Sequence, residues 1–238
     1  MPQRCEPDRL MSINFSIIGR NMPQRIYTMA EILIYDVIGE DWFGDGVSAK
    51  KVKDQLDGIA GDDEITVRIN SPGGDVFDGF AIYNLLKQAN AIIRVVVDGY
   101  AASAASVIAM AGDSVEMAEN TYLMIHNPYT FAIGSADDFR AEAETLDKIK
   151  GSIVNTYVKR SGDDPEVVSA AMDAETWYTA QEAVDAGLAD LVIDASESKI
   201  ENLKKPWINK APKIVTEQPN QETPEFRIAA RKRLPIIA

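Results

Sequence analysis

The sequence predicts an α/β domain built on a largely parallel β-sheet, and two observations support this prediction. Short runs of β-branched and apolar residues alternate with segments in which apolar residues recur at helical spacing, and the turns between them are short. Such alternation is typical of right-handed βαβ crossovers, which place neighbouring strands parallel in one sheet. We therefore expect one α/β domain over residues 29–193.

The predicted elements follow one another in a regular order. Strands are expected at residues 30–38, 64–69, 91–97, 114–117, 122–125 and 191–193, and helices at residues 48–56, 76–88, 101–111, 135–160, 165–172 and 179–186. Ser48 is a candidate N-cap, and Ser135-Ala-Asp-Asp138 has the outline of a capping box. Gly187 suits the left-handed position that follows a helix. These residues predict where individual helices begin and end.

The two ends of the chain have a different character. Residues 1–28 show no clean hydrophobic period and predict an extended N-terminal arm that is mobile. Residues 194–238 contain five prolines between Pro206 and Pro235, which predicts a mobile C-terminal tail. The domain organisation predicted from the sequence is therefore one folded unit between two extensions.

Composition and charge exclude several classes of protein. The chain has one histidine and one cysteine, so it can build neither a His-rich metal site nor an intramolecular disulfide. The net charge of −13 is concentrated in residues 1–193, because residues 194–238 carry nine Lys/Arg and six Asp/Glu, and this acidic body disfavours a broad nucleic-acid surface. Neither a membrane-spanning run nor a signal-peptide core is evident. We expect a cytoplasmic protein without cofactor, metal, nucleic-acid partner or membrane contact.

Small residues mark two junctions at the carboxyl ends of presumed parallel strands, where ligands bind in open α/β sheets. Asn70-Ser-Pro-Gly-Gly74 lets the backbone turn sharply and leaves N–H groups free, which suits an oxyanion hole as well as a plain tight turn. Gly99-Tyr-Ala-Ala-Ser-Ala-Ala-Ser106 places Ser103 near the first turn of a helix, where negative charge is favoured. Close helix packing is the structural alternative, and Ser106 is the competing serine.

The third junction contains the lone histidine, His126, in Tyr122-Leu-Met-Ile-His-Asn-Pro128. A histidine at the end of an apolar strand can be purely structural. Here it follows Ser103 by 23 residues, with one short hairpin expected between them, so both side chains can face one cleft. A Ser–His pair needs a third group to orient the imidazole, and Asp173 and Glu175 are acidic candidates.

In combination, these motifs resemble the Clp protease proteolytic subunit family, in its prophage branch of head-maturation proteases. The resemblance covers about residues 30–193 and rests on Asn70–Gly74, Gly99–Ser103 and Met124–Pro128, which match the family's three motifs in order. The segment Trp177–Asp190 is similar to the family's closing helix and strand. The resemblance implies a repeated β-β-α spiral, shared with the crotonase group, from which a handle helix protrudes.

The resemblance also implies roles for individual residues in a serine endopeptidase. Ser103 matches the nucleophile and His126 the general base, while the N–H groups of Gly74 and Ala104 match the oxyanion hole. Glu175 stands where the family has an aspartate as the third member of the triad, and Asp173 is the reserve candidate. Because glutamate orients imidazole in related triads, this departure is compatible with activity.

Assembly and partners are likewise implied by the resemblance. The helix expected at residues 135–160 corresponds to the handle through which two homo-oligomeric rings stack. A partner ATPase would be a separate chain, since no Gly-x-x-x-x-Gly-Lys-Ser/Thr motif occurs. The prophage branch instead implies cleavage of phage scaffold or capsid precursors. The alternatives are a crotonase-like acyl-CoA enzyme and a catalytically inactive shell or scaffold component of the same fold.

Overall fold

The computed structural model describes residues 30–40, 46–59, 61 and 64–194, which form one sheet and six helices. The strands are β1 (Ala30–Ile34), β2 (Glu64–Ser71), β3 (Ile92–Ala102), β4 (Ser114–Ala118), β5 (Tyr122–Ile125), β6 (Thr176–Thr179) and β7 (Leu191–Ile193). The helices are α1 (Ala49–Gly58), α2 (Val76–Gln88), α3 (Ala104–Ala109), α4 (Ala136–Ser161), α5 (Pro165–Asp173) and α6 (Ala180–Asp185). The predicted arm and all but the first residue of the predicted tail lie outside the described residues.

Strand β3 is the centre of the sheet because it pairs with three other strands. The order β1-β2-β3-β4-β7 is parallel throughout. Residues 94–97 of β3 pair with β4, whereas residues 100–102 pair in parallel with β5. Strand β6 is antiparallel to β5. The predicted α/β class with a largely parallel sheet is thereby confirmed.

One face of the sheet forms the hydrophobic core together with the helices. Alternate residues of the parallel strands, among them Ile32, Val67 and Val95, are fully buried in this core. Such burial is typical of parallel strands covered by crossover helices. The carboxyl-terminal half of α4 belongs to the same core through Ile153 and Tyr157, so α4 is anchored at that end.

Charged side chains occupy the opposite face of the sheet. The guanidinium of Arg68, 3% exposed, donates from Nε to Asp98 at 2.8 Å and also forms an ion pair with this carboxylate through Nη2. The hydroxyl of Tyr35 donates to Asp98 at 2.5 Å, and burial together with this carboxylate raises the pKa of Tyr35 to about 12. Arg94 and Glu116 form a second two-pronged pair between β3 and β4. Side-chain ion pairs thus link neighbouring strands on this face.

Helix α4 combines a buried end with a projecting end. It begins at the predicted capping box, in which Ser135 and Asp138 bond to each other's backbone N–H groups. It ends before Gly162, whose φ of 78° lies in the left-handed region. Residues 136–141 are all exposed, and the first buried residue of the helix is Ile149. The predicted long helix therefore stands out from the domain over its first turns.

Several details of the predicted elements are wrong. The strand expected at residues 91–97 continues to Ala102, so the helix expected from Ala101 begins only at Ala104. The small residues of this segment suit both conformations, and pairing with β5 extends the strand. The hairpin expected between Ser103 and His126 is not formed, because β4 and β5 pair with other strands. Strand β6 was not predicted, since four residues are too few to show a reliable alternating period.

Two absences apply to the described residues only. No helix among them is both long enough and apolar enough to cross a membrane. Within the same residues, no three His, Cys, Asp or Glu side chains come together in a way that could hold a metal ion.

We predict that Asp98→Asn lowers the free energy of unfolding by about 3 kcal/mol, because it removes the carboxylate charge beside the buried guanidinium of Arg68. The matched control is Asp54→Asn, which breaks the exposed Lys50–Asp54 pair on α1 and should change stability by less than about 0.5 kcal/mol. Urea unfolding of the two variants measures both values. Equal effects of the two substitutions would contradict the prediction.

Candidate active site

Ser103 occupies a strained position directly after β3. Its backbone has φ 59° and ψ −127°, a region that residues other than glycine rarely adopt. As N-cap of α3, Ser103 makes no side-chain capping bond, so its hydroxyl is not engaged by the first turn of the helix. Its N–H donates to the carbonyl of Met124 in β5 at 3.0 Å. Strain of about 1–3 kcal/mol at such a residue persists only where the surroundings hold it.

The structure brings Ser103 and His126 into hydrogen-bonding contact. The Oγ of Ser103 lies 2.7 Å from Nε2 of His126, although 23 residues separate them in the sequence. The contact follows from the parallel pairing of β3 with β5, which places the ends of these two strands side by side. If Nε2 accepts the hydroxyl proton, the ring carries its own proton on Nδ1. That tautomer is the one a serine nucleophile requires of its base.

The glycine turn after β2 lies against the segment that contains Ser103. Gly73 has φ 89°, and a Cβ at this residue would come within 2.6 Å of both the Ser103 Cβ and the Ala102 carbonyl oxygen. The Oγ of Ser71 accepts from the N–H of Gly73 and donates to the carbonyl of Asp36, and these two bonds connect the turn to the segment after β1. Glycine is therefore required at residue 73 for both conformational and steric reasons.

Two backbone N–H groups lie on the segments that flank Ser103. Ile38 pairs with the turn by donating to the Gly73 carbonyl and accepting from the Asp75 N–H, which directs the N–H of Gly74 to the opposite side. Ala104 is the first residue of α3, where N–H groups have no partner within the helix. The predicted oxyanion-hole donors thus belong to the two turns that meet at Ser103.

The two acidic candidates have different surroundings. The carboxylate of Asp173 accepts from Nδ2 of Asn127 at 2.7 Å and forms an ion pair with Lys150. Both bonds lower the pKa of Asp173, and the bond to Lys150 has the larger effect. Glu175 is exposed, and its Oε1 lies 3.5 Å from the indole nitrogen of Trp177. Continuing the β5–β6 register by one pair places Glu175 opposite His126. Its φ of 48° marks the turn from α5 into β6.

Ser106, the competing serine, is fully buried and its hydroxyl is engaged. Its Oγ lies 2.6 Å from the Ser103 carbonyl oxygen, 2.8 Å from the Met124 carbonyl oxygen and 2.8 Å from the hydroxyl of Tyr157. A hydroxyl enclosed in this way cannot reach a substrate. The sequence does not identify the role of Tyr157, since its place in the apolar stripe of α4 indicates only core packing.

A family model and several known proteins match this chain. The family model described as Clp protease matches residues 22–196. The chain belongs to the Clp protease family. Membership of this family confirms the predicted enzyme class, a peptidase. It favours neither of the alternatives, the crotonase-like acyl-CoA enzyme and the inactive shell component.

Individual Clp protease relatives cover much of the chain. An "ATP-dependent Clp protease proteolytic subunit 1" of Prochlorococcus marinus is 30% identical over 190 residues, which are 78% of this chain and 91% of the relative. The protein of the same name from Protochlamydia amoebophila is 34% identical over 133 residues, 54% of this chain, and the chain spans 65% of its length. The solved structure of a ClpP1 point mutant from Listeria monocytogenes superposes with TM-score 0.60 and 28% identity, covering 69% of this chain and 91% of that one. The predicted Clp-type fold is confirmed by this last match.

We predict that Gly73→Ala abolishes reaction at Ser103, because the added methyl group collides with the turn at Ser103 and the left-handed backbone is strained. The matched control is Gly151→Ala in α4, where a Cβ meets nothing within 4 Å. That control should retain activity and gain up to about 1 kcal/mol of stability from helix propensity. Peptide hydrolysis and thermal unfolding check both variants. A Gly73→Ala protein with unchanged turnover would show that the turn does not shape the site.

Proposed function

We propose that this Clp protease family member is a serine endopeptidase in which Ser103 attacks the peptide carbonyl and His126 is the base. The observation that carries the proposal is the 2.7 Å contact between Oγ and Nε2, at a buried serine whose backbone is strained. A hydroxyl in such a contact can pass its proton to the imidazole as it forms a bond to carbon.

The proposed reaction passes through an acyl-ester on Ser103, with His126 acting first as base and then as acid. Ser103 Oγ bonds to the scissile carbonyl carbon while its proton moves to Nε2 of His126. The oxyanion that forms is stabilised by the N–H groups of Gly74 and Ala104. The C–N bond then breaks, and the amine leaves with the proton from Nε2. Water then bonds to the acyl carbon and gives one proton to Nε2. The ester bond between that carbon and Oγ breaks, and the proton passes from Nε2 to Oγ, which restores the Ser103 hydroxyl and releases the acid product.

Glu175 is the proposed third member of the triad. The β5–β6 register supports this role, because it places Glu175 across from His126 at the end of the antiparallel pair. The carboxylate of Asp173 is instead shared between Lys150 and Asn127, the residue after His126. A carboxylate held by a lysine is less suited to stabilising a second positive charge on the imidazole. We therefore retain Glu175 as the orienting acid.

Assembly into a homo-oligomeric ring, with two rings stacked through α4, is the second part of the proposal. Three large apolar side chains at and before the start of α4 are strongly exposed: Phe131 and Ile133 at 73% and Phe139 at 51%. Exposed apolar side chains at the projecting end of a helix and in the segment just before it are typical of a surface that contacts another chain. The mass of the full chain in sedimentation velocity tests the ring, and a monomer at micromolar concentration would refute it.

The substrate proposal has two forms that differ in the partner required. The relatives are named ATP-dependent, which supports degradation of proteins delivered by a separate ATPase chain. The prophage resemblance instead proposes cleavage of phage scaffold or capsid precursors without such a chain. Hydrolysis of an unfolded protein and of a folded capsid precursor, each without ATPase, distinguishes them. Cleavage of the precursor alone would favour the phage form.

We predict that a fluorophosphonate labels Ser103 and that Ser103→Ala abolishes both labelling and peptide hydrolysis, because the Ser103 hydroxyl is the one that lies against Nε2 of His126. Peptide mapping by mass spectrometry locates the adduct. The matched control is Ser152→Ala, which alters an exposed serine of α4 and should leave the labelling rate unchanged. An adduct on another residue would overturn the assignment.

We predict that Glu175→Gln lowers kcat by about two to four orders of magnitude, because the amide no longer stabilises the protonated imidazole. The matched control, Asp173→Asn, should lower kcat by less than about tenfold, because its carboxylate is shared with Lys150 and Asn127. Steady-state hydrolysis of a short peptide measures both. The reverse order of effects would transfer the role of third residue to Asp173.

A further inference from the structure

A buried chain of hydroxyl groups lies directly behind the candidate nucleophile. The hydroxyl of Tyr157 in α4 contacts Oγ of Ser106 at 2.8 Å, and Ser106 contacts the carbonyl oxygens of Ser103 and Met124. Ser106 is 0% exposed and Tyr157 is 1% exposed, so bulk water does not compete for these bonds. These two hydroxyl groups therefore connect α4, α3, the end of β3 and β5 at one point.

The direction of these bonds follows from the protons available. A serine hydroxyl has one proton and two lone pairs, and both carbonyl oxygens can only accept. Ser106 therefore shares its single proton between the two carbonyl oxygens and accepts from Tyr157. Burial raises the pKa of Tyr157, so that its hydroxyl keeps the proton it donates.

We propose that Ser106 and Tyr157 are positioning residues that hold the strained backbone of Ser103 and the β5 strand in the alignment needed for proton transfer to His126. The two carbonyl groups that Ser106 contacts belong to the nucleophile itself and to the residue that accepts the Ser103 N–H. A backbone at φ 59° relaxes unless such contacts hold it. The inference rests on the proposed role of Ser103 as nucleophile.

The mechanism of positioning predicts how the two residues combine. Tyr157 acts through Ser106, because its hydroxyl forms a hydrogen bond with the hydroxyl of Ser106. Residues that act in series show non-additive effects when they are substituted together. Both side chains are buried behind Ser103, so the effect belongs to the rate of acylation and not to substrate binding.

The test compares Ser106→Ala, Tyr157→Phe and the double variant, with Tyr83→Phe as a half-buried tyrosine control. Ser106→Ala should lower kcat for peptide hydrolysis by roughly 10- to 100-fold with KM changed less than about twofold, because two carbonyl groups lose a donor. Tyr157→Phe should lower kcat about five- to tenfold, and the double variant should be no slower than Ser106→Ala. All rates are measured well below the unfolding temperature of each variant.

Amide hydrogen exchange of the peptide spanning residues 99–108 provides a second readout that does not need activity. Both variants should exchange faster there than the parent and the Tyr83→Phe control. If the parent shows no labelling at Ser103 while exchange still rises, the proposed function fails and the positioning of the backbone stands. If the parent is labelled and the variants retain both its kcat and its exchange rate, positioning is overturned. Fully additive losses in the double variant would also overturn it.

Discussion

The parallel pairing of one edge of β3 with two successive strands, β4 and then β5, is the constraint on which the site depends. Residues 94–97 of β3 lie beside β4, and residues 100–102 lie beside β5. The second of these neighbours, β5, accompanies β3 up to Ala102, and the chain turns sharply at the next residue, Ser103. Because β5 continues directly into His126, the same pairing sets the distance between the candidate nucleophile and its base.

The strain at Ser103 is held from three sides. The glycine turn after β2 packs against its Cβ, the Met124 carbonyl accepts its N–H, and Ser106 contacts its carbonyl oxygen. Each of these contacts involves backbone atoms or a fully buried hydroxyl, which have little freedom to move. The turn at Ser103 is thus maintained by Gly73, the Met124 carbonyl and Ser106, none of which forms or breaks a bond in the proposed reaction.

Much of this arrangement is predictable from local patterns. The strands at residues 64–69 and 122–125 and the helix at residues 76–88 have clear periods, and the capping box at Ser135 marks the start of α4. The resemblance carried by the order of the motifs predicts that Ser103 and His126 come together, although the short hairpin expected between them is not formed. Strand β6 escapes prediction, because it is defined by its partner β5 and not by its own four residues. The bond from Tyr157 to Ser106 escapes it for a similar reason, since this bond depends on how α4 crosses α3.

His126 is the single imidazole in the chain, and it contacts the candidate nucleophile. In a protein with several histidines, overlapping titrations must be assigned to residues one by one. Here a proton NMR spectrum contains one pair of imidazole carbon-bound resonances per subunit, and both belong to the site. Their chemical shifts therefore report the protonation of this imidazole, and their number reports whether all subunits of an assembly hold it in the same environment.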